Sequence, residues 1–207
     1  MSNNTATIKT RENLVSTRTI TMTALLAAIS YVLAFLEFPV PLSPSFARMD
    51  LSDLPALIGA FAFGPVTGVM IELIKNILQL LSTSTGGIGE LGNFLMGASY
   101  VLAAGFIYKY KKTRKMAMWA CVISSVVMGI AAAIVNYFIL LPLFETFMLL
   151  DQLIASFGEF LPFIKTKLDV VLFNALPFNI LKGLVIGAIA MMIYKKLTPI
   201  LKGETLK

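Results

Sequence analysis

Two stretches decide what kind of chain this is. Residues 116–144 run 29 positions without a charged side chain, and residues 173–194 run 22 with only Lys182 charged. About 20 helical residues cross a hydrocarbon core of roughly 30 Å, so runs of this length read as membrane spans. Composition agrees: 57% of the residues are hydrophobic and 14% charged, against about 25% charged in a soluble domain. Faces this apolar would not stay soluble in water. The expected class is an all-α integral membrane protein.

The punctuation of the chain predicts a six-transmembrane-helix bundle, with spans at 19–38, 53–63, 66–81, 90–108, 116–141 and 171–197. Pro39 and Pro41 end the first span, and the proline-containing segment 39–50 cannot be regular helix. Pro55 falls in the first turn of the second span, where proline is tolerated. Gly64-Pro65 breaks the second from the third, and a glycine-rich loop, 82–89, precedes the fourth. In the 142–170 connection, Leu149, Leu150, Leu153, Ile154 and Phe157 fall at helical spacing, which predicts an amphipathic helix on the membrane or over the bundle. Residues 1–18 are polar and basic. Span 19–38 is long enough to cross and has no convincing cleavage site, so it reads as a retained helix rather than a signal peptide. The domain division is 1–18, 19–197 and 198–207.

Twelve of the 17 Lys and Arg lie before the first span, between the fourth and fifth, and at or after the end of the last. Six spans put those three segments on one side, and the positive-inside rule makes that side cytoplasmic, both termini included. The segments 39–50, 82–89 and 142–170 then face outward. The basic runs read as topogenic and lipid-facing; with no soluble domain to present a groove, no nucleic-acid partner is expected.

The chain has no histidine and a single cysteine, Cys121, inside an apolar run. That excludes His-ligated zinc, cysteine clusters, Ser-His-Asp triads and an intrachain disulfide. Cys121 reads as a small buried hydrophobe.

The informative residues are the polar ones inside the spans, since a charge at the bilayer centre costs roughly 2.5–3.5 kcal/mol. Glu72, Lys75, Asn76 and Gln79 stand at i, i+3, i+4 and i+7, on one helix face. Asn179 and Lys182 share a face of the last span, Asn136 lies beside Tyr137 in the fifth, and Asn93 is near the outer end of the fourth. A purely structural reading is open: Glu72 and Lys75 can pair, and asparagines can bond between helices for about 0.6 kcal/mol each. Lys182 has no acid in its own helix, so it needs an acid from elsewhere, a carbonyl, water or a ligand. Asparagine amides suit heterocycle edges because each offers donors and an acceptor together, and apolar walls with a few polar groups suit a small molecule. Ala24 and Ala28 form a small-xxx-small pair that lets another helix approach closely.

Taken in order, these residues resemble one family. The matching stretches are 50–57 (Asp-Leu-Ser-Asp-Leu-Pro-Ala-Leu), 63–68 (Phe-Gly-Pro-Val-Thr-Gly), 73–76 (Leu-Ile-Lys-Asn), 89–94 (Gly-Glu-Leu-Gly-Asn-Phe), Asn136-Tyr137 with Leu141-Pro142, and 179–183 (Asn-Ile-Leu-Lys-Gly). Over about residues 18–197 the chain resembles the substrate-binding S components of energy-coupling factor (ECF) vitamin transporters, specifically the riboflavin-binding RibU type. The resemblance implies a multi-pass protein of the bacterial plasma membrane that binds riboflavin from outside and needs no cofactor. It implies a pocket near the outer face, covered by segment 39–50, with Asn136, Asn179 and Lys182 on the flavin. It further implies that Ala24 and Ala28 meet the transmembrane T subunit, and that two ATP-binding subunits complete the complex. The 142–170 connection is longer than the family leads one to expect. The chain has no GxxxxGK[ST] loop, so it does not itself hydrolyse ATP. Asn93, Lys75, Asn76 and Glu72 complete the candidate ligand set.

Rival readings keep their own tests. An S component for thiamine or biotin remains open, since Glu72 suits a thiazolium charge. An ion-coupled carrier or an intramembrane enzyme has only Glu72 as an acid deep in the spans.

Overall fold

The computed structural model describes residues 16–39, 48–146, 149–159 and 161–202. Residues 1–15 of the basic leader, 40–47 of the expected cover and 203–207 of the tail lie outside them.

The described chain is helical, apart from two two-residue strands, Phe38–Pro39 (β1) and Arg48–Met49 (β2), paired antiparallel at the base of segment 40–47. α1 is Thr17–Ala34, α2 Asp53–Phe63, α3 Pro65–Gln79 and α4 Ile88–Tyr110. α5 is Arg114–Val135, continued by a π-helical turn Asn136–Leu140 and a last turn Leu141–Phe144. α6 is Leu150–Gly158. α7 starts as Lys167–Val170, passes through a second π-helical turn Val171–Ala175 and continues as Leu176–Lys202. Four helices are long and apolar enough to cross a membrane: Thr17–Ala34, Ile88–Tyr110, Arg114–Phe144 and Lys167–Ile193. α2 and α3, with 11 and 15 residues, reach about 16 and 22 Å, short of a full hydrocarbon core.

Sequence chemistry accounts for the breaks. Gly64 closes α2 at φ +103°, a conformation glycine adopts without strain, and Pro65 starts α3 at once, where its missing N–H costs nothing. Before α4, Thr83 and Thr85 donate to Glu90 Oε2 at 2.9 and 3.1 Å, and their hydroxyls accept from the Gly87 and Gly89 N–H groups. The fifth span runs beyond the expected end at 141, through Pro142. Each π turn begins six residues before a proline, Asn136 before Pro142 and Val171 before Pro177. A proline ring clashes with the carbonyl four residues back, and a wider turn there lets the helix continue instead of stopping.

The core runs through the α2–α3 hairpin, α4, α5 and α7, with Leu57, Ile71, Tyr100, Val101, Met128 and Ile186 fully buried among alanines. Small residues let these helices approach closely; a Cβ on Gly183 would stand 2.7 Å from Ser125 Oγ and 3.0 Å from Ser125 Cα. α1 joins through a narrow stripe, Ala27, Ser30 and Ala34, and leaves Leu25, Ile29 and Val32 exposed. A second cluster of Leu141, Phe157, Ile164, Val170 and Val171 folds α6 over the ends of α5 and α7, where the leucine spacing predicts an amphipathic helix. That end, with β1, β2 and residues 82–89, is the loop end; the other, with residues 109–115, is the basic end.

Candidate functional site

α2 opens on Asp53, whose carboxylate sits at the positive end of its helix and is completely buried. α3 turns Glu72, Lys75 and Asn76 toward the bundle, all buried. α4 supplies Asn93, and α7 supplies Asn179 and Lys182, each 4% exposed.

Asp53 is the centre. Lys75 Nζ donates to Asp53 Oδ1 at 2.8 Å, and Lys182 Nζ stands 3.0 Å from Oδ2, an ion pair off the hydrogen-bond angle. Lys75 also reaches Glu72 Oε2 at 2.6 Å and donates to Ser52 Oγ at 3.0 Å. Lys182 reaches Asp50 Oδ2 at 3.4 Å and donates to Asn93 Oδ1 at 3.3 Å. The result is a chain of alternating sign, Asp50–Lys182–Asp53–Lys75–Glu72. Alternation is what makes five charged groups tolerable here, since breaking a buried pair leaves an uncompensated charge at about 3–5 kcal/mol. The Ser52 N–H donates to Asp50 Oδ1 at 2.7 Å, and Ser30 of α1 donates to the Ser52 carbonyl. The base of segment 40–47 and α1 are thereby tied to the same cluster.

Glu72 and Lys75 do pair, and Lys182 finds its acids on α2 and just before it. Asn76 Nδ2 donates to the Glu72 carbonyl at 2.8 Å and to Glu72 Oε2 at 3.4 Å, which fixes its amide with Oδ1 turned away. Glu72 Oε1, Asn76 Oδ1 and Gln79 Oε1 are buried acceptors with no donor among the described residues, and buried acceptors ordinarily have one. Asn136 stands outside this cluster. Its Nδ2 donates to the Ala132 carbonyl at 2.8 Å and lies 4.0 Å from Met96 Sδ of α4. Asn179 donates likewise to the Ala175 carbonyl at 2.8 Å, one turn before Lys182. Both amides are held by their own helices, Asn136 opening one π turn and Asn179 bonded to the last residue of the other, leaving an oxygen to accept. Asp50, Ser52 and Asp53 are the members that sequence reasoning missed. Ala24 and Ala28 are exposed on α1, beside its buried stripe. A cavity of about 400 Å³ lies at the basic end and is lined by none of these residues.

The site is therefore an ionic cluster of three carboxylates and two ammoniums, flanked by amides. Comparison with known proteins gives it a context. The family model for the substrate-specific component of ECF transporters matches residues 18–194. The chain belongs to that family. It is 37% identical over 180 residues to a protein of Staphylococcus aureus (strain TCH60) named riboflavin transporter RibU, covering 86% of this chain and 89% of that one. It is 33% identical over 179 residues to riboflavin transporter FmnP of Bacillus subtilis (strain 168), covering 85% and 90%. A solved structure described as the S component of a bacterial ECF transporter superposes with a TM-score of 0.70 at 36% identity, over 89% of this chain and 98% of that one. As an S component, the chain is a membrane transport subunit and not an enzyme.

Proposed function

We propose that this S component captures riboflavin at the loop end of the bundle and delivers it inward when a transmembrane T subunit and two ATP-binding subunits act on it. The observation that carries this reading is a buried, partnered Lys182 with the Asn179 amide one turn away, and a further amide, Asn136, on the π turn of the helix packed against α7, in a chain whose relatives are named riboflavin transporters. An ammonium and two amides match the mixed donors and acceptors of a flavin's pyrimidine edge. Asn93 steadies Lys182. Lys75, Asn76 and Glu72 form the floor, where the spare oxygens of Glu72 and Asn76 accept from ligand hydroxyls. Glu72 is already paired with Lys75 at 2.6 Å and the relatives are named riboflavin transporters, so the thiamine alternative is not favoured. The short α2–α3 hairpin counts as two spans, giving six across domain 19–197 between cytoplasmic segments 1–18 and 198–207; the basic residues at 109–115 support that orientation. Segment 39–50 covers the ligand from outside, and Ala24 and Ala28 face the T subunit.

Fluorescence titration of the purified protein tests this directly. Riboflavin should quench saturably, and Asn179→Ala should weaken binding about tenfold or more, as expected for losing a buried hydrogen bond to ligand. Absence of saturable quenching by the wild type, with thiamine or biotin binding instead, would overturn the ligand.

A further inference from the structure

The α2–α3 hairpin is shorter than the bundle around it, and the shortfall opens a recess at the basic end. The Gly64-Pro65 turn meets α4 at Gly105, where an added Cβ would lie 2.8 Å from Pro65 Cα. α4 runs on from Phe106 to Tyr110, about 7 Å past the turn. Beside this overhang lies the cavity of about 400 Å³, lined by residues 60–66, Gly105, Phe106, Tyr108, Lys109 and Lys112.

Its chemistry is two-sided. Phe63, Val66 and Phe106 make apolar walls, and Val66 and Phe106 are 69% and 52% exposed, so the recess opens sideways onto the surface that faces lipid. Lys109 and Lys112 are its only charged lining groups, and neither has an ion pair among the described residues. Tyr110, 88% exposed on the same turn of α4, is the kind of side chain that sits at headgroup level. Two cations without counter-ions above an apolar slot suit an anion that carries hydrocarbon.

We propose that this recess binds one anionic phospholipid, with the phosphate on Lys109 and Lys112 and the start of an acyl chain along Val66 and Phe106. Basic recesses between transmembrane helices on the cytoplasmic side suit such headgroups. Placing the lipid in the inner leaflet rests on the orientation proposed above; the recess itself does not. An acidic segment of a partner protein would meet the same lysines, but the lateral opening onto the lipid-facing surface favours lipid.

Native mass spectrometry of the full chain, in micelles doped equally with phosphatidylglycerol and phosphatidylcholine, reads the site. The wild type should retain phosphatidylglycerol selectively. Lys109→Gln and Lys112→Gln should each weaken retention about fivefold, and the pair about thirtyfold. Lys111→Gln and Lys115→Gln, which remove equal charge outside the recess, should change it less than twofold. Val66→Trp, which fills the slot and keeps both lysines, should also expel the lipid. Equal losses from all four lysine substitutions would reduce the effect to general surface charge and overturn the site. So would wild-type retention that ignores headgroup charge. Riboflavin titration of the same samples should be unchanged, which certifies the fold of the variants. Because lipid retention is read by mass, it stands or falls separately from the ligand assignment.

Discussion

Asp53 holds two lysines at once, Lys75 on one oxygen and Lys182 on the other, whereas Glu72 holds only Lys75. The two acids are equally buried, so their removal separates charge balance from burial. Asp53→Asn should destabilise the protein by about 3–5 kcal/mol, since both ammoniums lose their shared counter-charge. Glu72→Gln should cost clearly less, because Lys75 keeps Asp53 and Ser52 as partners. Thermal unfolding of the two variants in the same detergent checks the order; equal losses would refute a cluster centred on Asp53. In the sequence the face shared by Glu72, Lys75 and Asn76 is visible, because it is a matter of helical spacing. Asp53 is not visible there. An acid in a helix's first turn reads as an ordinary start signal, and only the fold brings α3 and α7 against it, 22 and 129 positions away in the chain. The same fold supplies the acid partners of Lys182 that the span 171–197 lacks.

At the scale of elements, the site depends on how closely α5 and α7 lie. Gly183 follows Lys182 and sits on Ser125, while the Tyr100 hydroxyl donates to the Gly183 carbonyl at 2.9 Å. Gly183→Ala would press a methyl to 3.0 Å from the Ser125 Cα, which is backbone and cannot swing aside. Overpacking of this kind costs about 1–3 kcal/mol, and here the helices must part at the turn that carries Lys182. The expected outcome is weaker riboflavin binding together with a lower unfolding temperature; full affinity in a stable Gly183→Ala protein would show that the interhelical distance does not set the site. Proline and glycine punctuation makes the α2–α3 hairpin readable in advance, and the helical spacing of apolar residues does the same for α6. The π turns are not readable by periodicity, since an apolar run looks alike with or without one extra residue in a turn. Pro142 falls just past the expected end of the fifth span, but the surrounding bundle carries that helix through it as it carries α7 through Pro177, and Asn136 is placed by that override.

For the whole molecule, capture and energy lie in different chains, and α1 is where they would meet. It enters the bundle through Ala27, Ser30 and Ala34, leaving Ala24 and Ala28 exposed. Both are exposed, and surface changes of this sort usually stay within about 0.5 kcal/mol. Ala24→Leu with Ala28→Leu should therefore leave riboflavin titration and unfolding temperature unchanged. If the small pair is the surface that lets a T-subunit helix approach, the same protein should lose the T subunit on co-purification. In vesicles, it should bind riboflavin yet fail to accumulate it even with the ATP-binding subunits and ATP present. Accumulation by the double variant would move the docking surface elsewhere on the molecule. Accumulation by the wild-type chain alone would go further and make it a self-sufficient carrier.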